Sequence, residues 1–342
     1  MTDCRHYRSL PGNTVFEHEI SVPEDYSDPS AGSRPMFTRE LVRGTVRDQS
    51  EVDVDAPVLC YLQGGPGFPS PRLDALPAWV DAALERYRVV LPDERGTGRS
   101  AGAPPSSVAE LRRLRADNII RDLERLREAL GIRTWTLLGQ SFGGFCATHY
   151  LATGTEAVDR VLLTGGLPAT DCGIDDGYRA TYAKTAERHQ ELYREFPGID
   201  ATIRKVCHHL DNSDERLPTG ERLSSRRLRT VGIDLGRGMG PVGLGMLFAA
   251  PFITVRGEQR LRPDFLHAVG QRVSFSGGAM YAAIHESIYG GTVPGPTAWS
   301  AHRIREEVAG FAEAADPSDA SAPFYLTGEH VYPWQFEEDP AL

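Results

Sequence analysis

Ser141 lies in "GQSFG" (139–143), a G-x-S-x-G order that closes the apolar run "WTLL". A serine hydroxyl is a weak nucleophile unless a base takes its proton, an acid orients that base and donors hold the oxyanion. In this pattern the serine occupies a sharp strand-to-helix turn. The flanking glycines remove the Cβ clashes such a turn would cause, so the hydroxyl projects from the sheet edge. The N–H of Phe142, at the start of the following helix, would then donate to an oxyanion. A glycine-rich turn without chemistry, or a phosphate loop, would share these residues. The position between a strand-like run and a helical pattern favours the nucleophile.

Acyl transfer needs a second oxyanion donor, and "QGGPG" (63–67), at the end of an earlier apolar run, is placed to supply it. Pro66 has no N–H, so Gly65 is the expected donor and Gly64 the alternative. "DERGTGRS" (93–100) has the look of a phosphate loop but lacks the GxxxxGK[ST] order. It reads as a structural loop beside the site, with Asp93 and Arg95 as partners in a hydrogen-bonded bracket.

These motifs need a scaffold. "TVFEHEISVP" (14–23) and "MFTRELVRGTV" (36–46) alternate apolar and polar residues and predict an antiparallel pair. "PVLCYL", "YRVVLP", "WTLLGQ" and "RVLLTGG" are short apolar runs ending at Gly- or Asp-rich loops, as buried parallel strands do. A helix is predicted from Ser107, with a capping-box Glu110, to about Leu130. Strand–helix alternation of this kind argues for an α/β parallel sheet. After Pro168 the patterns become mainly helical, and a last strand-like run is expected at "SAPFYLTGE" (321–329). Three parts follow: 1–168 as the N-terminal part of the α/β core, 169–316 as an inserted helical domain, and 317–342 as a return to the core.

The 342 residues carry a net charge of −10, which gives no electrostatic footprint for nucleic acid or an anionic membrane. The basic run "RLSSRRLR" (222–229) reads as a solvated helix face. No apolar stretch approaches the length of a membrane span, and "MTDCRHYRSLPGN" lacks the apolar core of a signal peptide, so a cytoplasmic protein is expected. The five widely spaced cysteines form no CxxC pair and predict neither a disulfide framework nor a zinc site. No metal or cofactor is expected.

"GGPG", "DERGTGRS", "DNIIRDLERLR" (117–127), "GQSFGG", "AAIHESIYG" (282–290) and "TGEHVYPWQFE" (327–337), in this order, resemble the proline iminopeptidase family of α/β hydrolases. The resemblance runs from about residue 14 to the end. It departs at Gln63, where many members carry histidine. It implies the α/β-hydrolase fold with a helical cap, and cleavage of an N-terminal proline from a peptide with a free N-terminus. An α-ammonium is costly to bury unless carboxylates meet it. The family's glutamate before a tyrosine matches Glu286, with Glu258 and Glu329 as candidates for a second carboxylate. Phe142, Tyr289, Trp299 and Trp334 could line a pocket for the imino ring.

The acid and base should follow the serine, in that order, on loops after late strands. Glu329 in "GEHVYP" is a poor match for the acid, because the G-x-x-D spacing falls on Val331. His330 would need an acid presented before it, and only Asp316 and Asp319 stand there, in a linker. His149 belongs to the helix leaving the elbow, and His208, His209, His267, His285 and His302 to the helical part. Family members continue past the position of Leu342, so the expectation is a chain without the C-terminal end of its core, lacking acid and base, nearly inert and poorly soluble as it stands. An esterase or lactone hydrolase, or a non-catalytic ligand-binding relative, are the alternatives on the same scaffold.

Overall fold

A computed structural model of the chain describes residues 3–46, 48–153, 156–290 and 295–342. It divides into two compact units, Met1–Pro168 and Ala169–Leu342. Residues 291–294 lie outside the described residues.

The first unit is built on a sheet of strands β1 (Asp3–Leu10), β2 (Asn13–Pro23), β3 (Ser33–Arg43), β4 (Val58–Leu62), β5 (Arg88–Pro92), β6 (Trp135–Gln140) and β7 (Val158–Thr164), in the order β1-β2-β3-β5-β4-β6-β7. The first three are antiparallel, β3 joins β5 antiparallel, and β5, β4, β6 and β7 run parallel. The expected N-terminal pair is β2 and β3; β1 adds a strand that no alternation in "DCRHYRSL" announces. Every residue of β4 and of β5 is buried, as suits strands covered on both faces. Their Leu59, Tyr61, Val89 and Leu91 share an apolar core with Val15, Leu41, Val80 and Leu84.

Helices α1 (Ala78–Ala83), α2 (Val108–Arg113), α3 (Ala116–Ala129) and α4 (Phe142–Ala152) complete this unit. The single helix expected over 107–130 is two. Its N-terminus is capped as predicted, with Ser107 Oγ accepting from Glu110 N at 3.3 Å. The break has a local cause. The carbonyl of Arg113, which would accept the next turn's amide, accepts instead from Arg95 Nη1 at 2.8 Å and from Asn118 Nδ2 at 3.1 Å.

The second unit is mainly helical: α5 (Ile174–Glu195), α6 (Ile199–Asp211), α7 (Ser225–Arg229), α8 (Pro241–Leu247), α9 (Pro263–Val273), α10 (Ala279–Ile284), α11 (Ser300–Arg305) and α12 (Gln335–Glu338), with a hairpin of β8 (Phe252–Val255) and β9 (Glu258–Leu261). No strand forms at 321–329. Phe324 and Leu326 instead enter the apolar core of this unit with Ile203, Val206, Leu228 and Val231. The chain end is tied to the same unit by Arg227, whose Nη2 donates to Asp339 Oδ2 at 2.9 Å, both side chains buried. Residues 317–342 are therefore part of the helical unit here and add nothing to the sheet. The apolar alternation in "PFYL" satisfies helix faces, a need that periodicity over four residues does not distinguish from a strand's. "RLSSRRLR" is likewise no solvated face: Arg227 and Arg229 are buried, and Arg229 donates to the carbonyls of Tyr325, Ala312 and Gly310.

Candidate active site

Register decides what the first unit can do. Leu62 pairs with Gly139, so the chain leaves β4 and β6 side by side at their carboxyl ends. Strand order also reverses here, β5 lying on one side of β4 and β6 on the other, and such switch points open the crevice in which α/β proteins bind ligands. The loop after β4 is "QGGPG"; the turn after β6 is Ser141.

Ser141 has φ 52° and ψ −120°, a conformation that only surrounding structure can impose on a residue with a Cβ. Its N–H donates to Thr164 O at 2.9 Å, and its carbonyl accepts from Gly144 N at 2.8 Å. The flanking glycines are required by contact. A Cβ on Gly143 would stand 2.0 Å from Leu62 O, and one on Gly144 2.2 Å from Gly166 O. Ser141 is half-buried, and its Oγ forms no hydrogen bond among the described residues. Phe142 opens α4, where leading N–H groups have no carbonyl within the helix to bind.

The 63–67 loop presses on this turn. A Cβ on Gly64 would meet Gln140 O at 2.8 Å and the Ser141 Cβ at 3.1 Å. Gly65 has φ +141°, and a Cβ there would strike the Phe68 ring at 2.7 Å. Tyr61 OH donates to Gln140 Oε1 at 2.7 Å, which pins the residue before the serine. The structure thus brings Gly64, Gly65, Ser141 and Phe142 together.

"DERGTGRS" braces the loop differently from expectation. Asp93 and Arg95 are not each other's partners. Asp93 accepts the N–H of Ser70 at 3.2 Å and of Arg99 at 2.9 Å. Arg95 forks onto Asp122 of α3 at 2.7 and 2.6 Å, a bidentate match that a planar guanidinium makes best with a carboxylate facing it from another element. Tyr26 OH also donates to Asp122, at 2.9 Å.

In the second unit, Glu286 is buried in a 3-10 turn, Glu286–Tyr289. Its Oε1 accepts from Ser300 N at 2.8 Å and its Oε2 from Ala301 N at 3.0 Å, so its carboxylate caps α11. Glu329 accepts from Tyr281 OH at 2.6 Å and pairs with Arg237. Both carboxylates act electrostatically on the Tyr178 hydroxyl, whose pKa burial and these charges raise. The rings of Tyr178 and Tyr289 are 6.1 Å apart, those of Tyr178 and His330 5.6 Å, and those of His285 and Tyr289 5.2 Å. Burial lowers His285 to about 4, and lowers His330 to about 3 with like-charge opposition from His285 and Arg305. Among the described residues neither ring nitrogen of His285 has a hydrogen-bond partner, whereas His330 Nε2 meets Thr181 Oγ1 at 3.0 Å.

Of the four aromatics expected around an imino ring, Tyr289 belongs to this cluster. Trp299 packs on Phe336, Trp334 stacks on Tyr332, and Phe142 lies in the first unit against Phe145. Glu258 is exposed at the start of β9. Sequence reasoning missed Tyr178 and Arg237, which stand far along the chain from both glutamates, and Tyr281, which precedes "AAIHESIYG" by one residue but bonds to Glu329, 48 residues on. His149 is on α4, His209 meets Glu215 at 2.8 Å, and His208 meets Ser318 at 3.3 Å. No histidine hydrogen-bonds Ser141 Oγ among the described residues. No helix among them is long and apolar enough to cross a membrane.

A largely parallel sheet with a strained serine turn at the carboxyl end of a central strand is the architecture of an α/β hydrolase, and the family described as alpha/beta hydrolase fold matches residues 57–220. The chain is 36% identical to a proline iminopeptidase of Aeromonas sobria over 99% of its own length and 78% of that protein's. It is 30% identical to a proline iminopeptidase of Aspergillus aculeatus over 64% of its length and 52% of that protein's. The chain belongs to the proline iminopeptidase family. These alignments do not by themselves support the expectation that a C-terminal part of the core is absent. A proline iminopeptidase-related protein of Thermus thermophilus superposes on 50% of each chain with 24% identity and a TM-score of 0.34.

Proposed function

We propose that this protein is a serine aminopeptidase that releases N-terminal proline from peptides with a free N-terminus. Ser141 Oγ attacks the prolyl carbonyl and gives its proton to a general base, a role that no histidine fills by a hydrogen bond to Ser141 Oγ among the described residues. The N–H groups of Phe142 and Gly65 receive the oxyanion, the protonated amine of the shortened peptide leaves, and water hydrolyses the prolyl ester. The observation that carries this reading is the φ of 52° at Ser141, with Gly64 so near the turn that a Cβ there would stand 2.8 Å from Gln140 O. A binding protein would have no use for so strained a turn.

Recognition of the α-ammonium falls to Glu286, with Glu329 as the second carboxylate, and Tyr178 and Tyr289 give the imino ring apolar surface beside them. The two acids are supported by their shared influence on Tyr178. Each Glu286 oxygen uses one lone pair on a backbone N–H and keeps another for a substrate donor.

Proline p-nitroanilide, N-acetylproline p-nitroanilide and p-nitrophenyl acetate separate the readings. The free-amine anilide should be cleaved with the highest kcat/KM, and Ser141→Ala should lower its turnover by about 10⁶-fold. Equal cleavage of the acetylated anilide would defeat the aminopeptidase reading. A higher kcat/KM for the ester would make the protein an esterase.

A further inference from the structure

The glycine-rich run "LGRGMGPVGLGM" (235–246) borders a cleft of about 330 Å³ in the second unit, whose lining includes Asp234, Arg237, Met239, Gly243 and Arg272. That volume is at the small end for a ligand site. Two of the lining residues are cationic and only partly engaged. Arg272 of α9 is fixed in place: its Nε donates to Asp234 Oδ2 at 2.7 Å and its Nη1 to Ala268 O at 2.9 Å. Its Nη2 has no acceptor among the described residues. Arg237 gives Nη2 to Glu329 Oε1 and keeps Nε and Nη1 without acceptors among them. Asp234 Oδ1 in turn receives no hydrogen bond there. The cleft therefore offers guanidinium donors in excess, and one carboxylate oxygen open to a donor.

Apolar surface adjoins these charges. Met239 is 71% exposed, Met246 65% and Val242 36%. Val242 and Met246 stand four residues apart and share one face of α8, while Leu244 and Gly245 of the same helix are buried. Methionine side chains fit themselves to apolar partners of varied shape.

We propose that this cleft binds the C-terminus of a peptide whose last residue is apolar. The terminal carboxylate takes the open donors of Arg237 and Arg272, for which a guanidinium fork is well matched. The N–H of the last residue donates to Asp234 Oδ1, and its side chain lies on Met239, Val242 and Met246. A fatty acid would satisfy the arginines and the apolar face but leave Asp234 Oδ1 without a donor. Inorganic phosphate would leave the apolar face bare. Because Asp234 already holds Arg272, little side-chain freedom is lost on binding. The site goes beyond the proposed catalysis: it meets a carboxylate with arginines, whereas the α-ammonium falls to glutamates.

Calorimetric titration of the full-length protein with N-acetylleucine and N-acetylleucinamide tests this. Acetylation removes the α-ammonium, so neither probe calls on Glu286 or Ser141, and Ser141→Ala should bind both as the wild type does. The acid should bind about tenfold or more tightly than the amide, and Arg272→Gln should erase that advantage. The acid without its N–H, 4-methylpentanoate, should bind more weakly than N-acetylleucine. Gly243→Leu should abolish binding while keeping the wild-type thermal midpoint. A Cβ at 243 comes no closer than 3.7 Å, to Met239 Cβ, so the backbone accepts the change and the rest of the side chain fills the cleft. No binding of N-acetylleucine, or equal affinity for acid and amide, would overturn the proposal whether or not either variant folds. Undiminished binding to folded Gly243→Leu would do the same. Equal affinity for 4-methylpentanoate would overturn the peptide assignment. All of these are read without turnover, so failure to cleave proline p-nitroanilide would defeat the aminopeptidase reading and leave this one standing.

Discussion

The two units build their candidate chemistry from different material. In the first, nearly everything is main chain: a left-handed serine, glycines in van der Waals contact with carbonyls, and N–H groups at a loop and a helix start. In the second, the chemistry is carried by side chains that converge from α5, α10, the 286–289 turn and the 329–330 coil. Main-chain geometry is a local consequence of a few consecutive residues. A side-chain cluster is a consequence of how whole helices pack. A substitution should therefore act by steric exclusion in the first unit, and through charge and partners in the second.

Gly143→Ala gives the largest expected effect and the sharpest test of the steric half. The new Cβ would sit 2.0 Å from Leu62 O, which is backbone of β4 and cannot swing aside. A loss of at least ~3 kcal/mol is expected, at or above the upper end for overpacking, together with loss of fluorophosphonate labelling at Ser141. A thermal midpoint close to that of the wild type would break the comparison at its strongest point.

The same contrast explains what could be read from the sequence. The serine turn, the GGPG loop and the parallel strands were legible because glycine spacing and short apolar runs encode them directly. The Ser107 cap was legible too, but the break after Arg113 was not. It depends on Arg95, eighteen residues away, claiming a carbonyl. Glu286 could be nominated only through the family resemblance, and its bonds to Ser300 and Ala301 have no counterpart in any local pattern. The strand reading of 321–329 failed because Phe324 and Leu326 fill a helical core whose other members lie as far back as Leu192.

Glu286 is next in size and tests the side-chain half. Glu286→Ala removes a helix cap and, on the proposed function, a substrate carboxylate. About 1–3 kcal/mol of stability should go with the two unsatisfied amides, and kcat/KM for proline p-nitroanilide should fall more than tenfold. Glu329→Gln should raise KM with a smaller change in stability, since its partners Tyr281 and Arg237 reach a more exposed group. If Glu286→Gln lowers the melting temperature and leaves KM alone, Glu286 is a cap only and the second unit reads the substrate with other groups.

Acidification should act selectively on the second unit. His285 and His330 have folded pKa values near 4 and 3, against 6.5 for an ordinary histidine. The unfolded chain thus binds protons that the folded one refuses as pH falls below about 6.5, and stability drops steadily toward pH 4. A tenfold difference in proton affinity between the two states corresponds to about 1.4 kcal/mol, so the pair contributes on the order of a few kcal/mol across that window. Urea midpoints at pH 7 and pH 5 should differ accordingly, and His285→Phe should lessen the slope. Equal midpoints in the wild type would mean that these rings are protonated in place.

The smallest effect comes from a second glycine, and its sign is the informative part. Gly177 lies in the first turns of α5, its φ is not positive, and a Cβ there meets nothing within 4 Å. Gly177→Ala adds no contact and removes none; it acts on the unfolded chain, whose backbone freedom it reduces. It should stabilise the protein by about 0.4–1 kcal/mol, read as a rise in the melting temperature. The same replacement is thus destructive at Gly143 and beneficial at Gly177. A fall in stability at both positions would mean that α5 buries its glycine face against something, and the second unit would then share the steric constraint of the first.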